Sequence, residues 1–209
     1  MDVKQYRVQM EIEGPLALFT RPDSGDTPCS YPVPTWSAAK GMFEAIARTQ
    51  SAYIKPVAVE ICKPIKYRKY VTNYGGPLRH PTDVKKNNSF QLQATVLEDI
   101  CFRLYGVVEE LSKAPGKTTN PKHALQAIFE RRLGKQQYFY PLCLGWKEFS
   151  LSYFGPFRPD TNKRYVQSSH NEIIPSMLYS VFDTPIDGKY APEFRQNVEI
   201  RNGRLEYDQ

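Results

Sequence analysis

Apolar and polar positions along the chain fall into two rhythms. Tyr6, Val8, Met10 and Ile12 alternate with Arg7, Gln9, Glu11 and Glu13, the period-two pattern of a half-buried strand, and Gly14-Pro15 interrupts it. The period changes in SYPVPTWSAAKGMFEAI, residues 30–46. Pro32 and Pro34 hold the approach extended and Thr35 can serve as an N-cap, so the spacing predicts a helix from about Trp36. Trp36, Ala39, Met42, Phe43 and Ile46 form its apolar face, expected to lie on a sheet, and Lys40 and Glu44 its polar one. Gly41 in mid-helix costs about 1 kcal/mol against alanine, which predicts the close approach of another backbone.

The rest of the chain repeats these rhythms. Residues 53–61 are β-rich, with Lys63-Pro64-Ile65 marking a strand end. Residues 90–109 read as a strand pair or one long bent strand. A second helix is predicted over 121–133, with Asn120 as cap, Pro121 at the first helical position and Gly134 just past the end; Leu125, Ile128 and Phe129 form its buried face. Residues 138–154 are aromatic and β-prone, which predicts a fourth strand and one connected to it. Residues 177–182 form a short apolar segment, and Asn202-Gly203 turns a hairpin within 198–207. This order predicts an α+β fold with a ferredoxin-like (RRM-like) β-α-β-β-α-β core over residues 1–150. A basic β-hairpin insertion at about 63–90 and a small β-rich C-terminal part, 151–209, complete the expected organisation.

Charge sharpens the picture. The 209 residues carry a net charge of +6, and the segment 63–90 holds seven Lys or Arg against Asp83 alone. That local excess equals the charge of the whole chain. Tyr67 and Tyr70 are threaded among Lys66, Arg68 and Lys69, a composition in which aromatic rings stack on unpaired bases while cations hold phosphates. A solvated edge hairpin would have a similar composition; nucleic acid is the favoured reading. Arg21, after the first strand, and Lys40, on the polar helix face, are further candidate RNA contacts. The four scattered cysteines contain no C-x-x-C pair, which points away from a disulfide framework or a zinc site and towards a reducing cytoplasm. The absence of a signal-like or membrane-spanning apolar stretch leads to the same expectation, with no membrane partner.

Lys122 and His123 fall in the first turn of the second predicted helix, where unpaired backbone N–H groups and the positive end of the helix dipole favour an anion such as phosphate. Ala114-Pro-Gly-Lys-Thr118 resembles the tail of a P-loop, but position 111 is leucine where the first glycine would stand, so the ATPase reading is discarded.

Several blocks together resemble a known family. Gly14-Pro-Leu-Ala-Leu-Phe-Thr-Arg-Pro22, the 30–46 stretch, Lys63-Pro64-Ile65, Lys122-His123 and Pro141-Leu-Cys-Leu-Gly-Trp-Lys-Glu-Phe149 occur in the order seen in the CRISPR-associated Cas-five family, in its type I-C (Dvulg) form. The resemblance implies a subunit of the Cascade surveillance complex that meets the backbone and large subunits and holds the 5′ handle of the guide RNA. It further implies an endoribonuclease that cuts the repeat hairpin of precursor CRISPR RNA without metal or other cofactor, by attack of a ribose 2′-OH on the neighbouring phosphate. His123 and Lys122 match the family's Lys-His pair. Related proteins carry tyrosine or histidine where this chain has Ala47, and Tyr53 or Tyr31 is the expected substitute. The alternative is a non-catalytic Cascade subunit that caps the guide RNA.

Overall fold

The first strand, β1 (Arg7–Ala17), lies where its alternation places it, with Val8, Met10 and Ile12 buried on one face. The computed structural model describes residues 5–74, 90–111, 120–160 and 170–208. After β1 come α1 (Trp36–Ile46), β2 (Ala52–Ile61), β3 (Tyr67–Tyr74), β4 (Phe90–Glu110), α2 (Pro121–Gly134), β5 (Tyr153–Gly155), β6 (Glu172–Phe182), β7 (Tyr190–Arg201) and β8 (Arg204–Glu206). One sheet runs in the order β5-β1-β4-β2-β8-β7-β6, and β3 pairs with β4 beside this path. Every pairing between these strands is antiparallel. The molecule is therefore an α+β protein in which both long helices serve a single sheet.

Residues 90–110 form one 21-residue strand rather than a pair. The first part of β4 pairs with β3, Tyr67 opposite Leu97 and Tyr70 opposite Ala94, and the second part lies between β1 and β2. The change of partner falls near Asp99, which adopts a left-handed conformation with φ 52°. For a non-glycine residue that costs about 1 kcal/mol or more. Its carboxylate is met by the Lys63 ammonium at 2.6 Å, which ties the bend to the chain leaving β2.

Both helices begin as their sequences predict. Thr35 Oγ1 accepts from the Ala38 amide at 3.1 Å, and Asn120 Oδ1 accepts from the Lys122 amide at 2.9 Å. Trp36, Ala39, Met42, Phe43, Ala45 and Ile46 of α1 and Leu125, Phe129 and Leu133 of α2 are buried. The Phe43 and Phe129 rings meet at 5.7 Å. Gly41 is not explained by a neighbouring backbone: a Cβ there would meet nothing within 4 Å.

Three sequence blocks converge near the end of β1. The Leu18 amide donates to Leu144 O, the Tyr31 amide to Phe19 O, and Ser30 Oγ accepts from the Phe19 amide. Gly145 has φ 89°, and a Cβ on it would stand 1.8 Å from the Leu18 carbonyl oxygen. This docking turn is why residues 138–152 do not form the predicted strand. Pro141 cannot donate to a ladder and Gly145 turns the chain, so pairing resumes with the three residues of β5 against β1. The C-terminal hairpin turns at Asn202 and Gly203, both with positive φ, and β8 joins it to the sheet beside β2.

On the sheet face away from the helices, the register places Glu11 opposite Arg103, Arg103 opposite Glu60, and Glu60 opposite Arg204. Charge alternates along this row, across four strands. Glu11 is fully buried and accepts from Arg103 Nε at 3.1 Å and Arg158 Nε at 2.6 Å. Arg158 also reaches Glu13, which takes a second cation from Lys63. The guanidinium of Arg103 lies 4.5 Å from the Phe157 ring, and that of Arg158 lies 4.0 Å from Tyr153. Burial pushes the Glu13 carboxyl up, but hydrogen bonds from Lys63 and Arg158 outweigh it and hold the group below its ordinary range.

Removing one member of this network leaves a buried carboxylate short of positive charge. Arg103→Met is expected to destabilise the fold by about 3 kcal/mol in urea unfolding, and a loss below about 1 kcal/mol would show Arg158 alone to be sufficient for Glu11. Because the folded pKa of Glu13 is depressed, its contribution is fully present above the unfolded value of 4.5 and is lost as pH falls through the folded value. Glu13→Gln should therefore narrow the stability difference between pH 7 and pH 3, measured by thermal melts at both.

Candidate functional site

The first turn of α2 is fixed from two sides. Leu125, Phe129 and Leu133 anchor the helix in the core. At its start Asn120 bonds twice, accepting from the Lys122 amide and donating through Nδ2 to the Tyr6 hydroxyl at 3.2 Å. Tyr6 is held in turn by the sheet, since its carbonyl accepts from the Val108 amide at 2.8 Å. Its ring stands against His123, with centroids 6.2 Å apart and planes tilted by 58°. One turn on, Gln126 Nε2 donates to the Arg7 carbonyl. The edge of β1 and the start of α2 are thus stitched together around an exposed imidazole and the half-buried side chain of Lys122.

This arrangement joins an imidazole, a neighbouring ammonium and a helix start that favours anions. Together they suit chemistry at a phosphate. Among the described residues no cluster of three or more His, Cys, Asp or Glu could hold a metal ion. Nor is any described helix long and apolar enough to cross a membrane.

The two tyrosines considered in place of Ala47 are engaged elsewhere. Tyr31 is buried, and its hydroxyl donates to Ser176 O at 3.1 Å and accepts from the Leu178 amide at 3.2 Å. Tyr53 donates to Glu109 Oε2 at 2.7 Å, and burial together with that carboxylate raises its pKa far above the ordinary phenol value. Ala47 caps α1 and is itself buried. The preceding carbonyl, Ile46 O, accepts from Arg132; Arg132 lies nine residues, about 13 Å, along α2 from His123.

The candidate RNA contacts separate into two groups. Lys66, Tyr67, Arg68 and Lys69 are exposed together at the start of β3, with Arg68 paired to Glu98 at 3.0 Å. Tyr70 is not free beside them, because its ring packs edge-on against Phe149 at 5.3 Å. Arg21 is paired with Asp23 and lies 5.7 Å from the Tyr31 ring. Lys40 is paired with Glu44 at 2.6 Å and, with Tyr53, Trp36 and Tyr179, lines a cleft of about 380 Å³ between α1 and the C-terminal strands. That cleft also presents Glu44, Asp183 and Glu193. The remaining cations of the insertion, Arg79, Lys85 and Lys86, and the 114–118 segment lie outside the described residues.

Tyr6 was not distinguishable in the sequence from any other alternating residue of a first strand. What singles it out is the register of β1 on β4 and the crossing of α2. No local pattern encodes these.

Comparison with known proteins places the chain. The family model described as CRISPR-associated protein (Cas_Cas5), in its Cas5d form, matches residues 8–200. A Mannheimia succiniciproducens protein named CRISPR pre-crRNA endoribonuclease Cas5d is 26% identical over 215 residues, covering 96% of this chain and 94% of that one. A protein of the same name from Thermus thermophilus is 35% identical over 154 residues, covering 72% of this chain and 64% of that one. A crystal structure of a CRISPR-associated protein superimposes with a TM-score of 0.70 at 18% identity, covering 98% of this chain and 94% of the other. The match to the family model across nearly the full length, supported by these relatives, makes this chain a member of the CRISPR-associated Cas5 family, in its Cas5d form.

Proposed function

We propose that this chain is an endoribonuclease that binds the repeat of precursor CRISPR RNA, cleaves it at the first turn of α2, and keeps the 5′ handle as a Cascade subunit. The observation that carries the reading is the placement of Lys122 and His123 side by side at a capped helix start, with Tyr6 against the imidazole. Family membership and the activity named for both relatives support it. The strand order β5-β1-β4-β2, with helices following β1 and β4, supports reading the core as a ferredoxin-like unit, extended by β3 as one arm of the basic hairpin.

In the proposed reaction the ribose 2′-oxygen forms a bond to the neighbouring phosphorus while the bond from phosphorus to the 5′-oxygen breaks. A 2′,3′-cyclic phosphate and a free 5′-hydroxyl result. His123, as neutral imidazole, accepts the 2′-hydroxyl proton, and the departing 5′-oxygen takes up a proton from its surroundings. The Lys122 ammonium offsets the charge that builds on the non-bridging oxygens. Tyr6 acts through His123 as a positioning residue, and the exposed cations of β3 hold the flanking phosphates.

A second reading, a guide-capping subunit without nuclease activity, draws on the small buried Ala47 and on the engaged hydroxyls of Tyr31 and Tyr53. Incubation with repeat RNA in EDTA separates the two. Wild type should cleave and leave a cyclic phosphate, while His123→Ala should lose about 10²-fold or more in rate and retain binding. Tight binding without cleavage by either protein would establish the capping role, and unchanged cleavage by His123→Ala would remove that residue from the site. Tyr6→Ala should lower the cleavage rate and shift its pH profile, with Tyr6→Phe largely restoring both.

Neutralising Lys66, Arg68 and Lys69 together is expected to weaken RNA binding and to reduce the slope of log K against log salt by about one per lost contact. A slope that does not change assigns this strand to solvent or to a protein neighbour.

A further inference from the structure

Beyond α2 the chain presents three successive large aromatic side chains to solvent. Tyr138, Phe139 and Tyr140 are 53%, 53% and 52% exposed. Such a run normally calls for a partner, because each ring leaves apolar area in water. The segment is firmly held: the amides of Phe139 and Tyr140 both donate to the Ala45 carbonyl, at 2.7 and 3.0 Å, and the Gln137 amide donates to Arg132 O. The Phe139 and Tyr140 rings meet edge-on at 4.5 Å, and Tyr138 leans on Phe154 at 6.2 Å. Arg132 reaches Ile46 O with Nη1 and places its guanidinium 5.8 Å from the Phe139 centroid.

Charge indicates the class of partner. Between residues 130 and 148 there are four cations, Arg131, Arg132, Lys135 and Lys147, against Glu130 and Glu148. Arg131, Lys135 and Lys147 are exposed. Rings on a rigid turn with cations on their flank match the chemistry of single-stranded RNA, whose bases stack while its phosphates need positive charge. Stacking of this kind tolerates any base, so the surface would hold RNA without reading it.

We propose that Tyr138, Phe139 and Tyr140, with Arg131 and Lys135, form a stacking platform for two or three unpaired nucleotides of the RNA, a binding surface separate from the first turn of α2. The proposal rests on the reading of the chain as an RNA-processing protein. It differs from that reading in placing a further RNA contact at the other end of α2, beside the C-terminus of α1. Because the backbone there is anchored before RNA arrives, little ordering cost is left to the binding step.

The test uses the full chain and a short unpaired RNA carrying a 2′-deoxyribose at the scissile position, so that binding is scored apart from cleavage. In fluorescence anisotropy, Tyr138→Ala, Phe139→Ala and Tyr140→Ala are each expected to weaken binding by about five- to hundredfold, with thermal melts near that of wild type. Arg131→Gln with Lys135→Gln should lower the salt slope by about 1.4. Independently of any variant, photo-crosslinking wild type to the same RNA bearing 5-iodouridine should label the tryptic peptide 136–147. Labelling confined to other peptides, or affinity unchanged in all three alanine variants, overturns the platform. Unchanged RNA affinity combined with failure to assemble with other subunits would give the surface to a protein partner, and likewise overturns it. Cleavage of an unmodified repeat hairpin at saturating protein, scored beside these, reports on the first turn of α2 and keeps the two readings apart.

Discussion

A carboxylate with no exposed surface stands on β1, between β4 and β5. Glu11 is accommodated there because Arg103 on the neighbouring strand and Arg158 on the segment beyond β5 both donate to it. The requirement is strict, since a buried charge without a partner costs several kcal/mol. It constrains register as well, because a one-residue slip of β4 would carry Arg103 to the helix side and bring an apolar residue opposite Glu11. The correct pairing of β1, β4 and β2 and the path of the chain through residue 158 thus depend on one charge pattern.

That arrangement divides the labour between the two faces of the sheet. Helices α1 and α2 cover one face through Phe43, Phe129 and their neighbours. The other is occupied by paired charges and the aromatic rings that cover them, so much of its charge is neutralised internally. Excess positive charge is instead carried at the margins: the exposed start of β3, the first turn of α2 and the segment after its last turn. These margins are where the proposed RNA contacts lie. The two on α2 are each held by a specific anchor in the core, the Val108 bond to Tyr6 and the Ala45 carbonyl under Phe139 and Tyr140.

The blocks that carry the family resemblance are largely structural. Gly14-Pro-Leu-Ala-Leu-Phe, Ser30-Tyr31 and Leu144-Gly145 come together near the end of β1, joined by backbone hydrogen bonds and by a glycine whose missing side chain admits the Leu18 carbonyl. Their spacing in sequence is long, yet their side chains and backbone are mutual neighbours. Lys122-His123 belongs to a different region, and the chemistry proposed for it depends on the fold those blocks help to build.

Much of this was legible in the chain itself, where the signals were local. Alternation defined β1, capping chemistry and periodicity defined both helices, and Asn202-Gly203 defined the last turn, because each is set by residues a few positions apart. The placement of Lys122 and His123 in a first helical turn was legible for the same reason. What the sequence could not reveal is decided by contacts between distant segments. Leu144 and Gly145 dock on Leu18 and turn an expected strand into a loop, Gly41 faces open space instead of a backbone, and Tyr70 is taken up by Phe149 while Tyr67 stays exposed. Tyr6 meets His123 only because the sheet register and the crossing of α2 bring residues 117 positions apart together. The sequence by itself determined the elements and the chemistry available at their ends; the tertiary structure decided which of those groups meet, because burial and pairing are properties of neighbours in space.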